Sequence, residues 1–194
     1  MPDDRPAAFF GYGSLVNRAT HDHAPARPAT LAGWRRVWRQ TRLRPFAFLS
    51  AEPAPGRIDG LVAAVPGDDW AALDRREAAY LRRPLATGDF AAQPDWAEPL
   101  GWAARVEIYT IDPAHQTADR YPILLSYLDV VVQGFLREFG ADGVTRFFAT
   151  TAGWTALYDD RTAPLYPRHQ PLAAAERALT DAHVAALGLP VSRA

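Results

Sequence analysis

Phe9-Phe10-Gly11-Tyr12-Gly13-Ser14-Leu15 is the stretch on which the reading of the fold turns. Entered through Ala7-Ala8, it has the pattern of a short buried strand running into a glycine-rich turn. Three well-known loop patterns do not fit it. Val16 stands where a dinucleotide fingerprint needs its third glycine. Ser14 follows Gly13 directly, so the spacing of a nucleophile elbow is missing. No Gly-Lys-Ser/Thr ending makes it a P-loop. Two readings stay open: an ordinary tight turn, or a nest of backbone N–H groups suited to a carboxylate or a developing oxyanion.

Outward from this turn, a polar, proline-broken segment runs from Asn17 to Pro28. Leu31 to Arg44 then reads as a strand, with Trp34, Arg36 and Trp38 at alternate positions and Phe46 to Leu49 as a continuation. Arg57 to Val65 is a further strand, with Gly60 a bulge or a point of close approach. A helix is predicted from Asp68, as N-cap, to about Leu81, stopped by Pro84. Trp102 to Ile111 is strand-like. Ile123 to Phe139 is a long helix opened by Pro122 and closed by Gly140, and Asp142 to about Thr150 a further one. A proline-bearing loop from Gly153 to Pro171 leads to a terminal helix, Leu172 to Leu187. Strands first, helices later, and one helix between strands predict an α+β or mixed α/β single domain over residues 1–194. Its core is expected over about residues 7–140, with 141–194 as a C-terminal extension.

The chain has 194 residues and 48% apolar side chains, which is globular composition. With 21 basic and 22 acidic residues its formal charge is −1, which argues against a general nucleic-acid binder. No apolar run is long enough for a membrane helix, and the acidic Met1-Pro2-Asp3-Asp4 start is unlike a secretory signal. A cytoplasmic protein with no membrane partner is expected. The absence of cysteine removes a thiol nucleophile, a disulfide scaffold and thiolate metal sites from consideration. The sequence does not set the oligomeric state.

On the predicted helix, Trp70, Leu73, Tyr80 and Leu81 form an apolar stripe, and Glu77 falls inside it. An acid on a buried face is either paired with one of the arginines or raised in pKa by desolvation, as suits a general acid or base. His21-Asp22-His23 has a chelating pair, but in a proline-rich loop and without a third partner it reads as surface. The run Arg35, Arg36, Arg39, Arg42, Arg44 with Trp34 and Trp38 has the composition of a nucleic-acid-binding strand, but against a formal charge of −1 it reads rather as a solvated strand face, or as a local positive field for a small anion. Asp159-Asp160-Arg161 and Pro164 to Arg168 have a composition that suits the mouth of a pocket as well as any long turn, and both readings stay open.

Taken together, these landmarks resemble the γ-glutamylcyclotransferase-like family. Phe9 to Leu15 resembles its opening Tyr-Gly-Ser motif, in the Tyr-Gly-Ser-Leu version of the ChaC type. Leu31-Ala32-Gly33-Trp34-Arg35-Arg36 resembles its next strand, Leu73 to Glu77 followed by Tyr80 the segment of its catalytic glutamate, and Val106 to Tyr109 the strand after it. Ser126-Tyr127-Leu128, with Gly134, resembles the late helix whose tyrosine contacts substrate. The resemblance implies a mixed α/β fold around a barrel-like sheet. It implies Glu77 as the catalytic general base and acid, and Phe10, Gly11, Tyr12, Gly13, Ser14, Leu15 and Tyr127 as substrate-binding residues. It also implies a small-molecule γ-glutamyl substrate, such as glutathione or a γ-glutamyl dipeptide, cyclised to 5-oxoproline without metal or organic cofactor. The alternatives are a cyclotransferase acting on γ-glutamylamines or on a biosynthetic γ-glutamyl intermediate, and a non-catalytic interaction domain of the same fold.

Overall fold

The computed structural model describes residues 5–91 and 100–193. The chain runs through β1 (Ala7–Gly11), β2 (Ala26–Arg39), β3 (Phe48–Val65), α1 (Ala71–Arg76), β4 (Tyr80–Leu85), β5 (Phe90–Ala91) and β6 (Arg105–Ile111). It continues through β7 (Ile123–Leu124), α2 (Leu125–Ala149), β8 (Thr151–Ala152), β9 (Leu157–Asp159), α3 (Ala174–Leu187) and β10 (Val191–Arg193). The main sheet has the order β4-β6-β1-β3-β2-β5, with β8 added in parallel on β2. A small parallel sheet, β10-β9-β7, lies beyond it.

All five residues of β1 are buried. This is the expected state of a strand paired on both edges and covered on both faces, here parallel to β6 and antiparallel to β3. The two-residue period divides its side chains. Phe9 packs with Trp70, Leu73 and Tyr109, whereas Phe10 belongs to the larger cluster with Leu128, Val131 and Phe135 of α2. β1 therefore runs between the two cores and delivers its turn to the end of the sheet.

The sheet does not close. The mixed α/β class is found, but among the described residues β4 is bonded only to β6 and β5 only to β2, so the expected barrel-like sheet is replaced by an open one. Closure would require the end strands to form a ladder with each other. β5 offers two residues for one, and β4 carries Pro84, which has no N–H to donate and marks an edge.

The predicted helix Asp68–Leu81 is the second correction. It shrinks to the six residues of α1, and Tyr80 to Leu85 form β4 instead, paired with β6 from Tyr80–Ile111 to Leu85–Val106. The ladder with β6 overrides the local helical pattern, and Leu81, counted in the apolar stripe, is exposed. Asp68 does not cap the helix: its carboxylate accepts from Trp70 Nε1 and pairs with Arg105 at 2.5 Å, while Asp69 accepts from the Ala71 N–H at 3.1 Å.

Other elements differ in extent. β2 begins at Ala26, inside the segment expected to be irregular, and β3 joins two expected strands into one of 18 residues. The bulge falls between Ala32 and Trp34, not at Gly60. Gly60 is a close approach: a Cβ there would lie 2.4 Å from the Gly11 carbonyl oxygen. Ile123 and Leu124 are strand rather than helix, and α2 is broken at Gly140, where φ is 68°. The C-terminal extension contributes β8 to the main sheet, and Phe147, Leu157 and Val184 join the larger core cluster. No helix among the described residues is long and apolar enough to cross a membrane.

Candidate active site

The turn after β1 is held from three sides. Val16 N–H donates to the Gly13 carbonyl at 2.9 Å and closes a short 3₁₀ turn over Ser14–Val16. Asn17, next in the chain, is buried; its side-chain amide donates to Val130 O at 3.0 Å and Gln133 Oε1 at 2.9 Å on α2. Gly134 lets this contact form, since a Cβ there would lie 2.7 Å from Asn17 N. From β2, Arg36 donates through Nε to the Tyr12 carbonyl at 2.9 Å and through its Nη atoms to the Asp59 carbonyl and Thr150 Oγ1.

Arg36 is fully buried. Burial pulls its guanidinium down to about 9, while nearby Asp59 raises it, so the group stays charged at neutral pH. Phe135 and Phe147 lie 4.7 and 5.2 Å from its Cζ and supply π faces in place of water. Asp59 is itself held by Thr30 and by Arg146 at 2.7 Å. The expectation of a solvated arginine face thus fails at Arg36 and holds at its neighbours: Arg35 and Arg39 both pair with Glu52 on β3. The alternation of Trp34, Arg36 and Trp38 was the available signal, because it placed Arg36 on the face of two tryptophans.

The turn lines an inner recess of about 30 Å³, whose wall includes Phe10 to Leu15, Leu49, Glu77, Tyr80, Tyr109 and Tyr127. Ser14, Leu49, Glu77, Tyr80 and Tyr127 also line an outer chamber of about 420 Å³. The recess has room for an oxygen-sized group and the chamber for a small molecule. Every sequence-predicted site residue lies on the recess wall. Leu49, Tyr80, Tyr109 and Arg76 had not been foreseen, because they reach the cavity through strand pairing and through the end of α1.

Glu77 is placed by the end of α1 rather than by a helical stripe. Its N–H closes the last turn on the Leu73 carbonyl at 2.9 Å, and its own carbonyl accepts from Tyr80 N–H as the chain enters β4. Its side chain is 14 % exposed and meets Arg76 Nε at 3.0 Å. Arg76 continues to the other wall, donating to the Thr20 carbonyl at 2.7 Å and to Ser14 Oγ at 3.4 Å. Both alternatives offered for Glu77 therefore hold together: it is ion-paired, and burial still pushes its carboxyl up against the lowering charges of Arg76 and Arg168.

Tyrosine hydroxyls line the remaining wall. Tyr12 donates to the Tyr109 carbonyl at 2.5 Å, Tyr80 to the Leu49 carbonyl at 2.9 Å, and Tyr109 to Asp74 at 2.6 Å. Tyr127 comes from the first turn of α2, with its ring against Trp38 and Tyr166. Burial, Tyr166 and Glu77 raise its phenol, and a hydrogen bond with the Ser14 backbone opposes them. A Cβ on Gly13 would lie 2.8 Å from the Tyr127 hydroxyl, so turn and tyrosine are in close contact.

His21 and His23 are occupied elsewhere. His21 accepts the His23 N–H through Nδ1 at 3.2 Å and reaches the Leu15 carbonyl through Nε2 at 3.0 Å. Nε2 must then carry the proton, and burial lowers the ring to about 4. His23 Nδ1 faces the Ala64 carbonyl at 3.1 Å. Among the described residues no group of three or more His, Asp or Glu side chains is arranged to hold a metal ion.

The sequence profile described as "Gamma-glutamyl cyclotransferase, AIG2-like" matches residues 9–127, from the strand before the turn to Tyr127. The chain belongs to this family. Among curated relatives of this cyclotransferase-family chain is the glutathione-specific γ-glutamylcyclotransferase of Escherichia coli strain K12, 26% identical over 124 residues, which are 59% of this chain and 51% of that protein. The chain spans about half the length of that relative. A solved structure described as a γ-glutamyl cyclotransferase superposes with a TM-score of 0.55 at 12% identity, covering 91% of this chain and 98% of the other. That of YkqA from Bacillus subtilis gives 0.54 at 16% identity, over 76% and 56%. These likenesses bear on the fold.

Proposed function

We propose that the chain is a γ-glutamylcyclotransferase that converts glutathione or a γ-glutamyl dipeptide to 5-oxoproline and a free amine. One observation carries this reading: the Tyr12–Leu15 turn, Glu77 and Tyr127 share the wall of one small recess opening into a chamber of substrate size. Leu15, after Tyr-Gly-Ser, favours the ChaC-type version of the family.

In this reading the backbone N–H groups of Gly13, Ser14 and Leu15 hold the γ-glutamyl carboxylate or the developing oxyanion, with the Tyr127 hydroxyl beside them. The substrate α-ammonium, with a pKa of about 8, must shed a proton before its nitrogen attacks the γ-carbonyl carbon. The new N–C bond closes a five-membered ring, and the bond from that carbon to the leaving nitrogen breaks. Glu77 takes the proton from the attacking nitrogen and returns it to the departing one. No water or co-reactant enters the balance. Because nucleophile and electrophile belong to one molecule, orientation supplies much of the rate. A carboxyl raised by burial is better suited to carrying a proton both ways than an exposed one.

The test is Glu77→Gln, which keeps the shape and cannot accept the proton. Release of 5-oxoproline is expected to fall by about 10²–10⁴-fold, the usual worth of general acid–base catalysis, with an unchanged circular dichroism spectrum. Turnover at the wild-type rate would make Glu77 a structural residue and end this mechanism.

A further inference from the structure

The outer chamber has a second wall that lies beyond the family-matched stretch, formed by residues 165–168. This segment is fastened to the start of α2. The buried Asp160 accepts from Ser126 N–H at 2.8 Å, Ser126 Oγ at 2.5 Å and Leu165 N–H at 2.9 Å. Arg161 is paired at 2.7 Å with Asp129, one turn further along the same helix. A turn bond from His169 N–H to the Tyr166 carbonyl at 3.1 Å then brackets Arg168. Together these polar contacts fix the path of the loop backbone.

Arg168 faces the chamber, within electrostatic reach of Glu77. Among the described residues no carboxylate lies within the 4 Å of an ion pair to Arg168 or to Arg44, which lines the same chamber, and Glu77 is already paired with Arg76. The chamber therefore carries three guanidinium groups against one carboxylate. The γ-glutamyl end of a substrate leaves this excess standing, since its carboxylate goes to the turn and its amine must become neutral to react. Phe46, Phe48 and Leu165 add apolar wall to the same chamber.

We propose that Arg168, assisted by Arg44, is a specificity-determining residue that binds a carboxylate on the leaving group, so that this chain releases amino acids or short peptides with a free carboxylate in preference to uncharged amines. The planar guanidinium matches a carboxylate in two parallel hydrogen bonds. This inference rests on the cyclotransferase reading above and deepens it.

The experiment compares γ-glutamyl-alanine with its C-terminal amide, in wild type and in Arg168→Gln and Arg168→Lys. The wild type is expected to favour the acid by about 10- to 100-fold in kcat/KM, the scale of hydrogen bonds to a charged group. Arg168→Gln should bring the acid-to-amide ratio close to one, mostly through KM, and Arg168→Lys should restore part of it. A wild type indifferent to the carboxylate, or an Arg168→Gln variant with an unchanged ratio, would overturn the assignment. Calorimetry on Glu77→Gln, with and without Arg168→Gln, separates this inference from the reading it rests on. If wild type cyclises neither compound and glutathione is not cyclised either, the cyclotransferase reading fails. Tighter binding of the acid that Arg168→Gln abolishes would still support the carboxylate subsite, and equal or undetectable binding of acid and amide would overturn it.

Discussion

The two walls of the cavity are built on opposite principles. Behind the inner wall the supporting polar groups are spent on the protein itself: Arg36 is buried against the carbonyls of Tyr12 and Asp59, and Asn17 is tied to α2. On the outer wall the backbone is fastened just as firmly through Asp160, yet Arg168 faces the chamber without an acidic partner within ion-pair distance among the described residues. The contrast separates two tasks. A satisfied arginine positions a loop; an arginine left without a partner is available to a ligand.

The largest effect that would sharpen this contrast is on stability. Arg36→Ala strands the Tyr12 and Asp59 carbonyls and leaves Asp59 with less compensation. Removing one member of a buried charged network typically costs about 3–5 kcal/mol. Urea denaturation should show a loss of that order for Arg36→Ala and a small one for Arg168→Ala. Equal losses would erase the distinction between the walls.

Next in size is the fit between turn and tyrosine. In Gly13→Ala the new Cβ would stand 2.8 Å from the Tyr127 hydroxyl and 3.2 Å from Leu49 Cδ2. Displacing the turn by a fraction of an ångström should lower kcat/KM by about 10- to 100-fold, as for other misplacements of reacting groups. Tyr127→Phe alone should lower kcat/KM while keeping stability within about 1 kcal/mol, the worth of one hydrogen bond. Because both changes act on one contact, adding Gly13→Ala to Tyr127→Phe should cost less than it does alone. Strict additivity, or Gly13→Ala at the wild-type rate, would break the link.

The smallest expected effect is in the pH profile. His21 is lowered to about 4 by burial, so its neutral form is favoured in the folded state, and its contribution is lost as pH falls from about 6.5 toward 4. Glu77 is raised, so its contribution runs the other way and is lost as pH rises through its folded value. His21→Gln should flatten the acid-side decline in urea midpoint, and Glu77→Gln should steepen it. Parallel shifts of the two variants would contradict the assigned burial of one group.

Much of this arrangement is legible in the sequence where local chemistry and final structure agree. The strand into Gly11-Tyr12-Gly13-Ser14 is such a case, because alternation, burial and the glycine turn all point one way. Glu77 was found through a helical stripe that does not exist beyond Arg76, since β6 draws Tyr80 to Leu85 into a ladder. Its burial comes from the chain reversal at the end of α1. The barrel-like expectation failed for a related reason: whether end strands meet depends on partners far apart in the chain, and among the described residues β4, an edge strand carrying Pro84, pairs only with β6 and β5 only with β2. Arg36 is least visible, and Arg168 is legible only as one residue of a turn with the composition of a pocket mouth. The first is buried by α2, more than ninety residues later, and the second reaches the chamber only because Asp160 folds its loop back onto Ser126.

The central claim is that the substrate's own amine, and not water, attacks the γ-carbonyl. Product analysis by mass spectrometry, after incubating the wild-type protein separately with glutathione and with γ-glutamyl-alanine, tests this most directly. The account predicts 5-oxoproline from the substrate used, in amounts equal to the released amine. Glutamate in place of 5-oxoproline, or no product from either compound, would contradict it.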